Sequence, residues 1–204
     1  MEEYVRGGEA LSKTKYVFLK RMLDVLFSFL LLVLLALPML LIGLCVSISS
    51  RGGPLFRQPR IGRGGRTFTC YKFRTMVRDA PPNRPSAVFL DAERYITPIG
   101  HFLRKTSLDE LPQLWNVLRG DMSLVGPRPL IGEEQEMHRA RQERGVYGVR
   151  PGMTGLAQIH GRDRLADKEK AALDAKYVES LSFRHDLAIV VKSFGCLFAK
   201  EEIK

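Results

Sequence analysis

The sequence is poor in the residues that build disulfide frameworks and metal centres. Its only cysteines are Cys45, Cys70 and Cys196, too far apart for a Cys-x-x-Cys pair. An odd, scattered set gives neither a disulfide framework nor a zinc knuckle, and reads as three reduced thiols on a cytosolic side. The four histidines (His101, His138, His160 and His185) show no HxxxH or HExxH spacing and read as structural or surface residues. Gly62-x-Gly64-Gly65 lacks the spacing of a nucleotide-binding glycine loop, and no strong strand leads into it. No internal repeat or low-complexity tract is present. Acid is missing from residues 49–78, which hold eight basic residues, and Val25 to Ile48 carries no charge at all over 24 residues.

What is present is basic. Over 204 residues, 32 Lys and Arg face 22 Asp and Glu, a net charge of +10. That bias asks for an anionic partner: nucleic acid, an acidic membrane face or a phosphorylated substrate. The length fits one domain, and 45% hydrophobic residues argue against wholesale disorder.

As one helix, the uncharged run would be roughly 36 Å long, against a hydrocarbon core of about 30 Å. It is too long for a signal peptide and no small-x-small cleavage site precedes a mature domain, so it is expected to enter a bilayer. Lys13, Lys15, Lys20 and Arg21 precede it, and Arg51, Arg57 and Arg60 are the first basic residues after it. The positive-inside rule thus places both flanks in the cytoplasm. Pro38 removes a backbone donor inside the run. A re-entrant helix–break–helix satisfies both flanks; a kinked single span is the alternative. Asp24 is placed to cap a helix start.

The remainder is rich in Gly, Pro and Arg. Residues 51–65 read as loop, Thr67–Phe73 as a short strand, and 79–86 as an exposed loop. Leu111, Leu114, Trp115 and Leu118 share one helix face, stopped by Gly120. Pro112 sets the helix start, with Asp109 the best N-cap and Ser107-x-x-Glu110 a competing capping box. Adjacent carboxylates beside Arg104 and Lys105 suit phosphate chemistry with a divalent metal; an ordinary acidic cap is the plainer reading. Pro127 and Pro129 fix the backbone around Arg128, which suits a phosphate clamp. Arg150–Ile159 is a Gly/Pro loop able to approach a ligand closely. Asp186–Phe198 reads as an apolar helix, either lying among headgroups or packed in the core.

Taken in order, Lys20-Arg21-x-x-Asp24, Tyr71-Lys-Phe-Arg-Thr-Met76, Arg104-Lys-Thr-Ser-Leu-Asp-Glu-Leu-Pro-Gln-Leu114, Gly120-Asp-Met-Ser-Leu-Val-Gly-Pro-Arg-Pro129, Arg150-Pro-Gly-Met-Thr-Gly-Leu-Ala-Gln158 and Asp174-x-x-Tyr-Val178 resemble the bacterial sugar transferases. Within that family the resemblance is to the small monotopic phosphoglycosyl transferases, of which the Campylobacter-type enzyme initiating N-glycan assembly is the prototype. It runs from about Lys20 to about Phe198. It implies transfer of a phospho-sugar from a UDP-sugar to undecaprenyl phosphate, with release of UMP and Mg²⁺ as cofactor. Carried over, Asp109 is the nucleophile and a metal contact, and Glu110 its acid/base or positioning partner. Lys72, Arg104 and Arg128 fall among phosphate-binding residues, and Asp174 near the substrate.

The resemblance also implies a mostly α fold (α+β with little strand). An interfacial segment, residues 1–24, leads into a re-entrant membrane helix, 25–48, broken near Pro38. A cytoplasmic catalytic domain, 49–204, carries surface amphipathic helices. Leu37-Pro38 departs from the Ser-Pro break of the prototype. The expected location is the cytoplasmic face of the bacterial inner membrane, against anionic lipid. No nucleic-acid partner is expected, and a homodimer is left open. The alternative is a membrane-tethered scaffold or nucleic-acid-binding protein, which leaves the Asp-Glu pair and the Pro-Arg-Pro turn without a use.

Overall fold

A computed structural model describes residues 2–49, 53–80, 92–161 and 164–198, with backbone alone for 2–14 and 196–198. Residues 81–86 of the expected exposed loop lie outside it. Helix α1 runs without interruption from Glu2 to Leu34, and α2 from Ala36 to Ser49. Nothing in the backbone therefore marks residue 24 as a boundary. The break falls at Leu35, three residues before Pro38. The reason is local: the Leu35 and Met39 amides donate to Leu31 and Leu35 (both 2.8 Å), but proline has no N–H for the Leu34 carbonyl and its ring crowds that group. The two helices are bent by 63°. Among the described residues no single helix is long and apolar enough to cross a bilayer; the bent pair is, by length and composition.

Tyr16, Lys20, Asp24 and Ser28 recur every four residues and so form one polar stripe on α1. The partners of Tyr16, Lys20 and Asp24 lie far along the chain. Asp186 accepts from Tyr16 Oη and Lys20 Nζ (each 2.6 Å) and from Tyr177 Oη (2.9 Å). Asp24 is not a helix cap: it sits mid-helix, buried, and its carboxylate accepts from the Leu124 amide at 3.0 Å. Arg21 donates to the Val117 and Leu118 carbonyls (2.7 and 2.9 Å). These belong to the last turn of α4 (Gln113–Arg119), where a cation meets orphan acceptors and the negative end of the helix dipole.

Strands β1 (Leu55–Ile61) and β2 (Thr67–Phe73) form an antiparallel ribbon, registered from Leu55 opposite Phe73 to Ile61 opposite Thr67. Much of the segment read as loop is thus strand. Pro59 hid it, being tolerated because a two-stranded ribbon is all edge. Helix α3 (Pro98–Thr106) follows, then a 3₁₀ turn (Leu108–Glu110), α4, β3 (Ser123–Val125), α5 (Gln135–Glu143), β4 (Gly152–Thr154), α6 (Leu156–Ile159), α7 (Asp167–Glu179) and α8 (Phe183–Phe198). Strands β3 and β4 pair in parallel. The mostly helical content with small sheets agrees with the expected fold class.

Apolar packing joins both arms of the bent pair to one body. Val46 of α2 is fully buried with Phe73 and Leu103, beside Met39 and Ile42, while the stripe of α1 meets α4, β3 and α8. One side of α8 packs in the core and the other is exposed. Ile189 of α8 packs with Val125, Leu156 and Tyr177, whereas Phe183, Leu187, Val191 and Phe194 are exposed along its other side. Trp115 is half exposed rather than packed with Leu114.

Removing the Asp186 carboxylate takes from the largely buried Lys20 ammonium its 2.6 Å partner and leaves it, among the described residues, only Asp24, at 4.0 Å. Asp186→Ala is expected to cost about 3–5 kcal/mol, measured as denaturant unfolding in detergent, with Lys20→Met/Asp186→Leu recovering most of the loss.

Candidate active site

The Asp-Glu pair sits on a turn shaped from both ends. Upstream, Thr97 Oγ1 accepts from the Gly100 amide at 3.0 Å and Pro98 occupies the first turn, so α3 starts cleanly. A Cβ on Gly100 would fall 2.0 Å from the Thr75 carbonyl oxygen; glycine lets α3 lie against the chain leaving β2, where Arg104 Nε donates to Thr75 Oγ1 (2.9 Å). Helix α3 ends at Ser107, a non-glycine residue with φ of 56°. Left-handed backbone of this kind is costly and concentrates at functional turns.

Downstream, α4 begins only at Gln113, so Asp109 is not its N-cap, and Ser107 makes no capping bond through its side chain. Pro112 is responsible: without an N–H it cannot carry α-helical bonding back to residue 108. Two 3₁₀ bonds fill the gap, from the Glu110 amide to Ser107 (3.2 Å) and from the Leu111 amide to Leu108 (3.3 Å). Asn116 ties this unit to β2, its Nδ2 donating to the Thr69 carbonyl (2.7 Å) and its Oδ1 accepting from the Tyr71 amide (3.1 Å). The next strand residue, Lys72, is thereby held opposite the turn.

Lys72 Nζ lies 2.6 Å from Glu110 Oε1, and Arg128 Nη1 lies 3.6 Å from the same oxygen. Lys72, Glu110 and Arg128 line a narrow cleft with Arg60, Gln113 and Pro129. Asp109 is only 8% exposed. Burial pushes its carboxyl above the ordinary carboxylate range and Glu110 adds to this, while Lys72 and Arg104 oppose it. Among the described residues, no side chain hydrogen-bonds or ion-pairs with the Asp109 carboxylate. Cys70 also lines the cleft, but burial raises its thiol and keeps it protonated, a poor nucleophile.

The Arg128 turn is exposed at the guanidinium and buried at both prolines. Behind it, Gly126 and Gly152 touch: a Cβ on Gly152 would fall 2.0 Å from the Gly126 nitrogen. The close approach expected of the 150–159 loop is thus made to this backbone. Asp174 lies elsewhere than expected. It is 1% exposed on α7, and its Oδ2 accepts from Arg141 Nε and Nη2 (2.9 and 2.6 Å). Arg141 Nη1 in turn reaches the Arg128 carbonyl at 2.8 Å. Of the residues singled out from sequence, Lys72, Arg104, Asp109, Glu110 and Arg128 gather at one place; Asp174 stands one arginine behind. Arg60 and Arg141 were missed. Arg60 was hidden in the misread loop, and nothing in the polar sequence of α5 distinguishes Arg141 from its neighbours.

No group of three or more His, Cys, Asp or Glu residues could hold a metal among the described residues. The donor set nevertheless fits Mg²⁺, which is held by one or two carboxylates plus water and substrate phosphates. Asp109, with no competing side-chain partner among the described residues, is such a carboxylate.

The sequence profile described as "Bacterial sugar transferase" matches residues 15–200. The UDP-galactose-lipid carrier transferase of Erwinia amylovora is 39% identical over 97% of this chain and 44% of its own length. The undecaprenyl-phosphate galactose phosphotransferase of Salmonella typhimurium is 40% identical over 90% of this chain and 41% of its own. The UDP-glucose:undecaprenyl-phosphate glucose-1-phosphate transferase of Caulobacter vibrioides is 39% identical over 97% and 76%. The chain spans less than half the length of the first two of these relatives. With a match over nearly all of its own residues, the chain belongs to the bacterial sugar transferase family.

Proposed function

We propose that this chain transfers a hexose 1-phosphate from a UDP-sugar to undecaprenyl phosphate, through a phospho-sugar intermediate on Asp109. The observation that carries the reading is a desolvated Asp109 carboxylate, free of side-chain partners among the described residues, next to a Glu110 engaged by both Lys72 and Arg128. The names of the relatives, with galactose and glucose among them, support the substrate class.

An Asp109 oxygen attacks the phosphorus that bears the sugar. The bond from that phosphorus to the bridging oxygen breaks, and UMP leaves with the oxygen. The lipid phosphate then attacks the same phosphorus, releases Asp109 and forms the diphosphate-linked sugar. A carboxylate approaching a pyrophosphate meets like charge, so Lys72, Arg104 and Arg128 have to screen it. Glu110 holds Lys72 and Arg128 at that approach. Mg²⁺, when bound, would be held by Asp109 and would supply charge neutralisation at the pyrophosphate. Dividing the reaction in two lets a soluble donor and a lipid acceptor use one site in turn.

The bent pair is read as re-entrant, with the domain on the cytoplasmic face. A full span would carry the far end of α2 across the bilayer from the stripe of α1, yet both arms pack on one body. The exposed apolar side chains of α8, with Phe102 and Trp115, suit the same membrane surface.

Asp109→Asn is expected to abolish UMP release from UDP-sugar and polyprenyl phosphate with unchanged thermal unfolding; near-normal turnover removes the covalent route. Chelation with EDTA should stop UMP release and Mg²⁺ restore it, whereas an unchanged rate in chelator discards the metal. In a variant lacking its native cysteines, Ala10→Cys should resist impermeant thiol reagents in intact cells and react after permeabilisation. Labelling in intact cells points to a single span.

A further inference from the structure

Four consecutive carbonyls of the Arg128 turn accept hydrogen bonds from outside it. Pro127 accepts from the Gly152 amide (2.9 Å) and Leu130 from the Ile61 amide (2.9 Å). Between them, Arg128 accepts from Arg141 Nη1 (2.8 Å) and Pro129 from Arg60 Nη1 (2.9 Å). The turn needs outside donors because Pro127 and Pro129 have no N–H with which to build a ladder of their own.

Each of these two guanidiniums is itself fixed on its other edge. Arg141 is gripped by Asp174 Oδ2 through Nε and Nη2. Arg60 is gripped by Gln58 Oε1 through Nε and Nη2, at 3.0 and 2.6 Å. Arg141, Asp174 and Gln58 are all at least nine-tenths buried. A planar fork anchored along one edge presents its remaining N–H along a fixed line, which an ammonium on a flexible stem does not do. The two arginines come from different elements, β1 and α5, and meet adjacent peptide groups. The peptide planes on either side of Pro129 are therefore each held by a separate anchored donor.

We propose that Arg60 and Arg141 are positioning residues, a pair of anchored guanidiniums that clamp the Arg128 and Pro129 carbonyls and so aim the Arg128 side chain at the diphosphate of the donor. Asp174 and Gln58 anchor the clamp and do not touch substrate. The inference rests on the donor-binding part of the proposed function. It places the importance of Asp174 one step behind the cleft, through Arg141.

The test is a set of double-mutant cycles on the full chain in lipid nanodiscs, with Arg60→Lys and Arg141→Lys made in the native and the Arg128→Ala backgrounds. Lysine keeps the charge and loses the fork. A misplacement of about 1 Å in a positioning group costs on the order of 100-fold, so each lysine variant should lose about that in kcat/KM for UMP release while Arg128 is present. In Arg128→Ala the further loss should stay below about twofold, the limit expected when one residue acts only through another. Equal losses in both backgrounds overturn the clamp, since the arginines then act directly or through stability.

Binding of UDP by calorimetry should show the same non-additivity. Should the chain bind UDP and turn over no UDP-sugar, the transfer reading falls and the UDP cycles decide the clamp. Absence of UDP binding overturns both. If Arg141→Lys fails to fold, Arg60→Lys and Asp174→Asn supply the cycles, with the same two outcomes.

Discussion

Two cations share one carboxylate oxygen, and much of the site follows from that economy. Lys72 and Arg128 both lie against Glu110 Oε1, so the positive charge of the cleft is held in place by the neighbour of Asp109 and not by Asp109 itself. A buried acid with no side-chain partner is expensive to ionise. The charges of Lys72 and Arg104 lower that expense. The pairing sets positive charge beside a desolvated carboxylate without spending that carboxylate on holding it.

The scaffold is arranged around keeping that geometry fixed. Pro112 forces the 3₁₀ turn, Ser107 takes up a left-handed conformation to enter it, and Asn116 fastens the turn to the strand of Lys72. Three different elements thus converge on one turn of chain. Rigidity here is built from backbone acceptors: carbonyls of Thr69, Pro127, Arg128, Pro129 and Leu130 are each taken by a donor from another part of the fold.

Much of the site was legible because its chemistry is written in short, local patterns. Asp109-Glu110 after Arg104, and Arg128 between two prolines, each carry a mechanism in a few residues. The uncharged stretch from Val25 to Ile48 announced itself by length. What stayed hidden depends on partners distant in sequence. Asp24 resembled a cap because its real partner, the Leu124 amide, lies 100 residues on. The β1 strand was masked by a proline that an edge tolerates, and with it Arg60. Arg141 sits in a helix of uniformly polar sequence, where only tertiary contacts separate a buried arginine from a solvated one. The break in the apolar run was placed at Pro38, whereas proline exerts its effect on the carbonyl four residues earlier.

The stripe on α1 also sets an order of events. Tyr16 and Lys20 find Asp186 across 170 and 166 residues, and Arg21 finds the end of α4 across 96. At ribosomal elongation rates of roughly 5–20 residues per second, Lys20 waits on the order of ten seconds for its counter-ion to be synthesised. Throughout that interval the nascent helix carries Lys20, Arg21 and Asp24 beside an uncharged extension. Helix α1 is consequently completed only after α8, which carries its counter-ion, has been made.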